Sequence, residues 1–316
     1  MLGRWTSGQS CSQDRGVSVA SQYPALSGPL PLTFAHRGGA ALWPENTLEA
    51  FRGAIELGCT HIETDLRMTR DGEIVVMHDD VLDRTTSGSG RVSTHTLSQL
   101  RRLDAGYHFS PDGKSFPRRG QGLVIPTLAE VVALSGSVRF NVEIKERGPF
   151  DLPRALLAFI ERYGIADRIV VAAERHDLMR QFRRLSQGRI ATSASRRECL
   201  QFWFASRLSL TAFLRLPYRA LQIPVRAGNL TVVTRQFLDA AHREGLAVHV
   251  WTIDERTEML RLLDLGVDGL MSDRPDRLRQ VVLERAQPAG TAGSAPPTDS
   301  DALKQAGETT PVNHPG

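Results

Sequence analysis

The sequence has few cysteines, and their placement excludes two kinds of site. Only three occur in 316 residues, Cys11, Cys59 and Cys199, an odd number without the close spacing of zinc ligands. Neither a disulfide framework nor a cysteine zinc site is therefore expected. Because unpaired thiols suit a reducing compartment, we expect a cytoplasmic protein.

Long apolar runs are also missing. No segment approaches the roughly 20 consecutive apolar residues that a membrane-spanning helix needs, so we expect a soluble protein. Residues 1–31 lack a charged start followed by a hydrophobic core, which argues against a secretory signal. We expect a flexible segment over 1–31 and a disordered tail over 286–316, which is rich in Pro, Ala, Gly, Ser and Thr.

The chain is basic overall, but its sequence contains no nucleic-acid recognition motif. The net charge is +4 and the pI is about 9.2, but the arginines are dispersed along the sequence. A solvated basic surface is the better interpretation, and we expect no nucleic-acid partner. Such a surface could still attract anionic lipid.

The segment from His36 to Asp79 concentrates the residues that can carry chemistry. It contains histidines, closely spaced carboxylates and a Pro-Glu-Asn-Thr turn. A phosphodiester anion repels nucleophiles, so an enzyme that cleaves it must neutralise charge, orient the attacking oxygen and protonate the leaving alkoxide. These residue types suit all three tasks, which predicts metal-assisted attack on a phosphodiester.

Three carboxylates are candidate ligands for one divalent cation. Glu63 and Asp65 are two residues apart in an apolar, strand-like run, so both should project from one strand face. Glu143 stands near the end of another such run and supplies a third carboxylate. Hard oxygen ligands favour Mg²⁺ or Ca²⁺ over zinc. Arg37 and Lys145 add cations suited to binding phosphate.

Two histidines are candidates for proton transfer. His36 follows the strand-like run 32–35, and His78 follows the run 74–77. Because imidazole titrates near neutrality, one could accept a proton while the other donates one, and the assignment stays open. Taken singly, a Glu-x-Asp pair is usually a solvated strand face and a histidine before aspartate is usually a turn residue. Their combination favours the catalytic interpretation.

The Pro-Glu-Asn-Thr turn has two possible roles. Asn46 is followed three residues later by Glu49, the spacing of a capping box, which predicts that the first helix begins here. Alternatively, Glu45 supports the site.

Ordered motifs run through most of the chain. They are His36-Arg37-Gly38, Pro44-Glu45-Asn46-Thr47, Glu63-Thr64-Asp65, His78-Asp79, Leu82-Asp83-Arg84-Thr85-Thr86, Val142-Glu143-Ile144-Lys145, Trp251-Thr252 and Asp273-Arg274-Pro275. This pattern resembles the glycerophosphodiester phosphodiesterase family over residues 32–283. Ser272 stands where threonine is usual in the family, and the segment 199–218 carries no family motif.

The resemblance implies a reaction and a role for each candidate. Glycerophosphodiesters would be hydrolysed to glycerol 3-phosphate and an alcohol such as choline or ethanolamine. His36 and His78 would supply acid and base, either for water attack or through a cyclic phosphate formed by the glycerol C2 hydroxyl. Trp251 would form an apolar wall for the glycerol carbons, with core packing as the alternative.

Alternating strand-like and amphipathic segments predict an α/β fold, a (β/α)8 barrel over residues 32–285. Eight such units in about 250 residues is the size of this barrel, whose active sites lie at the carboxyl ends of the strands. The interval 81–126, which follows the second strand region and precedes a helix, is too long for an ordinary barrel loop. It resembles the small inserted subdomain with which the family covers its active site.

The segment 200–216 is unusually apolar and aromatic for part of one predicted helix over 196–216. The favoured interpretation is a helix with a wide buried stripe. The alternative is an interfacial patch for a bilayer surface or an acyl chain, which would make the protein peripheral at the membrane and add lysophospholipids to the substrates.

Two other functions remain open. A lysophospholipase D or a phospholipase C-like enzyme would use a similar barrel and paired histidines. A non-catalytic protein could retain the barrel to bind phosphodiesters or lipid surfaces, although a binder has no need of two proton-transfer groups.

Overall fold

The computed structural model describes residues 23–145 and 150–286, and a parallel sheet forms its centre. The described residues up to Val281 belong to one compact unit, and residues 282–286 extend the last helix. In chain order the strands are β1 Leu32–Ala35, β2 His61–Met68, β3 Ile74–Val76, β4 Arg139–Ile144, β5 Ile169–Ala172, β6 Ala191–Thr192, β7 Ala220–Pro224, β8 Arg226–Ala227, β9 Leu230–Thr231, β10 Ala247–Trp251 and β11 Gly269–Ser272.

Within these described ranges, eight strands form a nearly closed parallel barrel. They are hydrogen-bonded in the order β6, β5, β4, β2, β1, β11, β10 and β7. The two ends of the sheet meet where Ser193 bridges Ala220 and where the Arg219 N–H donates to the Thr192 carbonyl over 3.0 Å. The (β/α)8 barrel predicted from the sequence is confirmed.

Helices cover the outer face of the barrel. Outward-facing apolar residues of β2, β4 and β5, such as Ile62, Phe140 and Ile169, are buried in one cluster with helix residues such as Leu156 and Phe182. The helices are α1 Leu48–Glu56, α2 Leu97–Leu100, α3 Leu128–Val132, α4 Leu152–Tyr163, α5 His176–Ser186, α6 Arg196–Arg207, α7 Arg235–Arg243, α8 Arg256–Leu265 and α9 Pro275–Ala286.

Strands β2 and β4 carry polar residues at alternate positions. Because side chains alternate between the two faces of a strand, Glu63 and Asp65 share the face opposite to Ile62. The parallel pairing of the two strands sets Glu63 beside Asn141 and Asp65 beside Glu143. This register brings the acidic residues of two strands together.

The amino end of the barrel is closed by a short 3-10 helix, Pro24–Leu26. The Ala25 carbonyl lies 3.0 Å from His61 Nε2, and Arg139 Nε donates to the Pro24 carbonyl over 2.8 Å. The flexible segment expected over 1–31 is therefore wrong for residues 23–27, because these contacts tie them to the first residues of β2 and β4. Residues 1–22 lie outside the described residues.

Strand β3 pairs antiparallel with β2, Leu66 opposite Val76, and so runs against the barrel strands. The Met77 N–H donates to the Asp65 carbonyl over 2.9 Å, which sets the chain just before His78 beside Asp65. His78 therefore follows a strand that is not one of the eight strands of the barrel. A hairpin returns this histidine to the level of Asp65.

Residues 81–126, the predicted insertion, connect β3 to α3 and contain little regular structure. A 3-10 helix, Val92–Thr94, and the short α2 are the helices described in this interval. Its apolar residues form a small cluster together with β3 and the residue that follows it. The buried members of this cluster are Val75, Met77, Leu82, Val92, Leu100, Ala105 and Ile125.

The predicted helix over 196–216 is shorter in the structure. Helix α6 ends at Arg207, where Ser209 adopts a left-handed backbone with φ 56° and the Leu210 N–H donates to the Ala205 carbonyl over 2.8 Å. A residue in this conformation closes the last turn of a helix. A 3-10 helix, Thr211–Phe213, lies in the segment that connects α6 to β7.

No helix in the described ranges combines the length and apolarity needed to cross a membrane. Ala286 is the last residue of α9. The disordered tail predicted from residue 286 otherwise falls on 287–316, which, like 146–149 and Cys11, lie outside the described residues.

Candidate active site

Three carboxylates from the neighbouring strands β2 and β4 converge. Glu63, Asp65 and Glu143 each offer one oxygen, and these oxygens lie within 4.8 Å of one another. Glu63 and Asp65 are buried and Glu143 is half-buried. Acidic groups so close together repel, and the donor set of hard oxygens fits a divalent cation such as Mg²⁺ or Ca²⁺.

The electrostatics of this cluster suit the binding of a cation. Burial and the adjacent Asp65 carboxylate raise the pKa of Glu63 well above its ordinary value. Burial likewise raises the pKa of Glu143, and repulsion from Asp65 adds to it although Lys145 acts in the opposite direction. A bound cation would favour the ionised forms of both groups.

Arg37 and Lys145 flank the carboxylates. Lys145 Nζ lies 2.9 Å from Glu143 Oε2 and 3.6 Å from Asp65 Oδ1. The Arg37 backbone N–H donates to Glu63 Oε2 over 3.1 Å, and its guanidinium Nε lies 3.5 Å from Asp65 Oδ2. Burial opposes the charged form of Lys145, yet Glu143 and Asp65 outweigh it and raise the pKa of the ammonium.

His36 lies against the carboxylate cluster at the end of β1. Its Nδ1–H donates to Asp273 Oδ1 over 2.6 Å, and its Nε2 lies 3.8 Å from Glu63 Oε2. Burial opposes protonation of His36, but Glu63 and Asp273 outweigh burial and raise the pKa to about 8. Asp254 in turn accepts from the Asp273 N–H over 2.8 Å and from the Ser272 hydroxyl over 2.9 Å.

His78 is held through both its side chain and its backbone. Its Nδ1–H donates to Asp79 Oδ1 over 2.7 Å. The His78 carbonyl accepts from Arg67 Nη2 over 2.6 Å, and Arg67 Nη1 donates to the Lys145 carbonyl over the same distance. Arg67 therefore ties the chain at His78 to the chain at Lys145.

The Pro-Glu-Asn-Thr turn serves both the helix and the candidate site. Thr47, not Asn46, caps α1, because the Thr47 hydroxyl accepts from the Ala50 N–H. The predicted capping box at Asn46 is therefore wrong by one residue. The Asn46 amide instead donates to Asp65 Oδ2 over 3.1 Å and accepts from the Thr64 hydroxyl over 2.8 Å, which orients a candidate metal ligand.

Trp251 is the last residue of β10 and lies at the same end of the barrel as the carboxylates. It is 42% exposed, so it is no core residue. An exposed indole at this edge is compatible with an apolar wall for substrate carbons, which stays a prediction.

The sequence predicted that Glu63, Asp65 and Glu143 lie together with His36 nearby, but it did not reveal the partners that orient these side chains. Asp79 was visible as the residue after a histidine, and Arg67 continues the inward face of β2 two positions after Asp65. Other partners approach from distant parts of the chain, and no local pattern marks their pairing. These are Asp254, Asp273 and, as the partner of Glu45, Arg84.

Comparison with known proteins identifies the family. The model of the glycerophosphoryl diester phosphodiesterase family matches residues 36–277. A glycerophosphodiester phosphodiesterase of Caldanaerobacter subterraneus subsp. tengcongensis is 32% identical over 255 residues, covering 79% of this chain and 97% of the relative. A second, from Bacillus subtilis, is 30% identical over 280 residues, covering 84% and 91% of the two chains.

A solved structure shares the fold. It is an Oleispira antarctica phosphodiesterase in complex with the product sn-glycerol-3-phosphate, with a TM-score of 0.63 at 24% identity, covering 80% of this chain and 96% of that chain. The family match spans every candidate residue of the site, and the named relatives are hydrolases that cover most of the chain. This chain therefore belongs to the glycerophosphoryl diester phosphodiesterase family and is a phosphoric diester hydrolase.

Proposed function

We propose that the enzyme hydrolyses glycerophosphodiesters to glycerol 3-phosphate and an alcohol, with a divalent cation, Mg²⁺ or Ca²⁺, held by Glu63, Asp65 and Glu143. The observation that carries this proposal is the convergence of three carboxylate oxygens within 4.8 Å of one another. When bound, the cation would supply Lewis-acid polarisation of the phosphoryl group. The remaining steps are assigned to side chains of this chain.

Arg37 and Lys145 are proposed to bind the phosphoryl oxygens. Both are charged at neutral pH and lie beside the carboxylate cluster, so they can share the negative charge that grows during attack. A guanidinium offers a planar pair of donors, and an ammonium offers a compact point charge. Trp251 is proposed to contact the glycerol carbons, because its indole is exposed at the same end of the barrel.

His36 and His78 are proposed as the acid and base pair. The Nδ1 atom of each ring is hydrogen-bonded to an aspartate, Asp273 for His36 and Asp79 for His78. Nε2 is therefore the nitrogen available for proton transfer. One imidazole accepts a proton from water, or from the glycerol C2 hydroxyl to give a cyclic phosphate. The other donates a proton to the departing alcohol.

Product analysis tests the proposal. The protein is incubated with glycerophosphocholine and Mg²⁺ or Ca²⁺, before and after chelation, and the products are separated. We expect choline and glycerol 3-phosphate, loss of turnover on chelation and recovery when the cation is restored. Phosphocholine with glycerol would indicate the phospholipase C-like alternative, and binding without turnover would indicate the non-catalytic alternative.

An exposed apolar surface supports a second substrate class, lysophospholipids, and peripheral contact with a bilayer. Leu208 and Phe213 are 68% and 83% exposed just after α6, and Phe204 is exposed within it. Arg207 lies over the Trp203 ring at 4.5 Å from its centroid, so this apolar surface also carries positive charge. Exposed apolar side chains beside arginine suit an anionic lipid surface.

Vesicle sedimentation tests this contact. Leu208→Asp with Phe213→Asp should reduce binding to anionic vesicles and hydrolysis of lysophospholipid, and should spare hydrolysis of glycerophosphocholine. The control is Tyr163→Asp, which introduces an aspartate at an exposed aromatic residue of α4. Equal vesicle binding by both variants and the parent would refute membrane contact.

We also propose a cytoplasmic location. Within the described residues, Cys59 and Cys199 are both free thiols. Burial raises the pKa of each to about 12, so neither thiol forms the reactive thiolate easily. Unpaired thiols of this kind are compatible with a reducing compartment.

A further inference from the structure

Arg84, in the long connection between β3 and α3, holds two carboxylates at once. Its Nε donates to Asp79 Oδ2 over 2.5 Å. Its two terminal nitrogens donate to the two oxygens of Glu45, each over 2.7 Å. This forked pairing uses the planar guanidinium in a way that lysine cannot reproduce.

Each of the two carboxylates also contacts a residue proposed to act on substrate. Asp79 accepts from His78 Nδ1 over 2.7 Å through its other oxygen. Glu45 accepts from Arg37 Nη1 over 3.1 Å. The result is a continuous chain of hydrogen-bonded side chains from His78 through Asp79, Arg84 and Glu45 to Arg37.

The low exposure of its two carboxylates distinguishes this network from a solvated ion pair. An isolated ion pair at a surface is worth little, because water screens it and two long side chains must be ordered. Here the Glu45 and Asp79 side chains are only 14% and 23% exposed, although Arg84 itself is 47% exposed. A forked contact with two largely buried carboxylates fixes geometry that a single exposed pair does not.

We propose that Arg84 is a positioning residue that makes the connection 81–126 part of the active site. Through Asp79 it orients the imidazole of His78, and through Glu45 it orients the guanidinium of Arg37. The inference rests on the roles proposed for His78 and Arg37. It adds that the connection holds the proton-transfer group and the phosphate-binding group in one relative geometry.

The two arms of the network predict different kinetic effects with glycerophosphocholine. Asp79→Asn should lower kcat and leave KM nearly unchanged, because it disturbs proton transfer only. Glu45→Gln should mainly raise KM, because it disturbs Arg37 and hence substrate binding. Arg84→Gln should do both and lower kcat/KM at least about tenfold, and Arg84→Lys should restore only part of the loss.

A matched control comes from the same connection. Arg91 is 61% exposed and pairs with the exposed Asp80 over 3.2 Å, a salt bridge separate from the site network. Arg91→Gln removes the same charge and should leave kcat and KM unchanged. If Arg91→Gln lowered kcat/KM as much as Arg84→Gln, the effect would be one of net charge and the proposal would be refuted.

A double-mutant cycle separates this inference from the proposed function. If Arg84 acts through His78, Arg84→Gln should lower kcat far less in the His78→Ala background than in the parent. Fully additive losses in kcat, or full activity of Arg84→Gln, would overturn the positioning role and leave the proposed function intact. Full activity of His78→Ala would instead overturn the role proposed for that histidine, and this inference with it.

Discussion

His36 and Asp273 lie 237 positions apart in the chain, and a 2.6 Å hydrogen bond between His36 Nδ1 and Asp273 Oδ1 joins them. Strands β1 and β11 are neighbours in the barrel, and Ala35 pairs with Ser272. His36 and Asp273, the residues that follow these two strand ends, are therefore in contact. An aspartate on Nδ1 sets the orientation of the ring and directs Nε2 towards the carboxylates.

The first prediction concerns this pair. Asp273→Asn keeps the size of the side chain and removes its charge, so His36 loses the partner that favours its active orientation. We expect kcat with glycerophosphocholine to fall at least about tenfold, a smaller loss than removal of an acid or base itself. Asp276→Asn, a nearby change at a residue paired with Arg274, is the control and should keep kcat.

The second prediction concerns the two imidazoles. His36→Ala and His78→Ala should each lower kcat by about 10² to 10⁴-fold, the usual contribution of a positioned acid or base. Steady-state kinetics at saturating substrate measure this loss. His95→Ala is the control, because the hydrogen bonds described for the His95 side chain are with the Arg91 carbonyl and the Thr94 hydroxyl, both in the connection. Parent-like kcat in either active-site variant would contradict its role.

The third prediction concerns the cation. Because a ligand that binds only the folded state stabilises it, Mg²⁺ or Ca²⁺ at 100 times its dissociation constant should add about 2.7 kcal/mol to the free energy of unfolding. Glu63→Gln should abolish both this stabilisation and metal-dependent turnover. Thermal melts with and without the cation measure the effect, and Glu73→Gln, at an exposed glutamate after β2, serves as control. Equal stabilisation of Glu63→Gln would rule out Glu63 as a ligand.

The fourth prediction concerns the buried histidine of β10. His249 lies 4.7 Å from Phe34, centroid to centroid, and burial lowers its pKa to about 4. An unfolded chain binds a proton here near the ordinary value of 6.5, so the folded state loses stability as the pH falls from about 6.5 to 4. The loss should approach about 1.4 kcal/mol per pH unit within that window.

Replacement of His249 tests whether this residue makes the folded state less stable at low pH. Between pH 4 and 6.5, His249→Leu should reduce the slope of the unfolding free energy against pH by up to about 1.4 kcal/mol per pH unit. Since neither ring nitrogen of His249 has a hydrogen-bond partner among the residues that the structure describes, the leucine side chain should also cost little stability at pH 7. Denaturant titrations at pH 7 and pH 5 measure both effects. An unchanged pH dependence would show that His249 does not titrate as proposed.

Local periodicity made the barrel and the candidate metal ligands of β2 predictable. Alternation in the sequence of β2 assigned Glu63 and Asp65 to one strand face, because successive side chains of a strand project to opposite sides. The alternation of strand-like and amphipathic segments predicted the parallel sheet, and the described strands confirm it. Boundaries were less certain: α6 ends at Arg207 because Ser209 adopts a left-handed backbone, and no single residue type forces that conformation.

Contacts between distant segments explain what the sequence did not reveal. A polar residue before an amphipathic run is a plausible helix cap, and Asn46 fits that description as well as Thr47 does. Only the packing of the turn against β2 turns Asn46 towards Asp65. Likewise, residues 23–27 have no hydrophobic periodicity that would predict an ordered element. In the folded barrel, however, Ala25 contacts His61 and Pro24 contacts Arg139.

By itself, the sequence determined the type of sheet, the family and the acidic pair on β2, since each depends on periodicity or on residues close together in the chain. The sequence also offered Glu143 as a third carboxylate, but the tertiary structure decided how closely it approaches this pair. It also decided that Asp273 pairs with His36 and that Arg84 connects Asp79 with Glu45. These contacts depend on strand register and on the closure of the barrel. Both arise when many weak contacts between distant segments form together, so no short pattern encodes them.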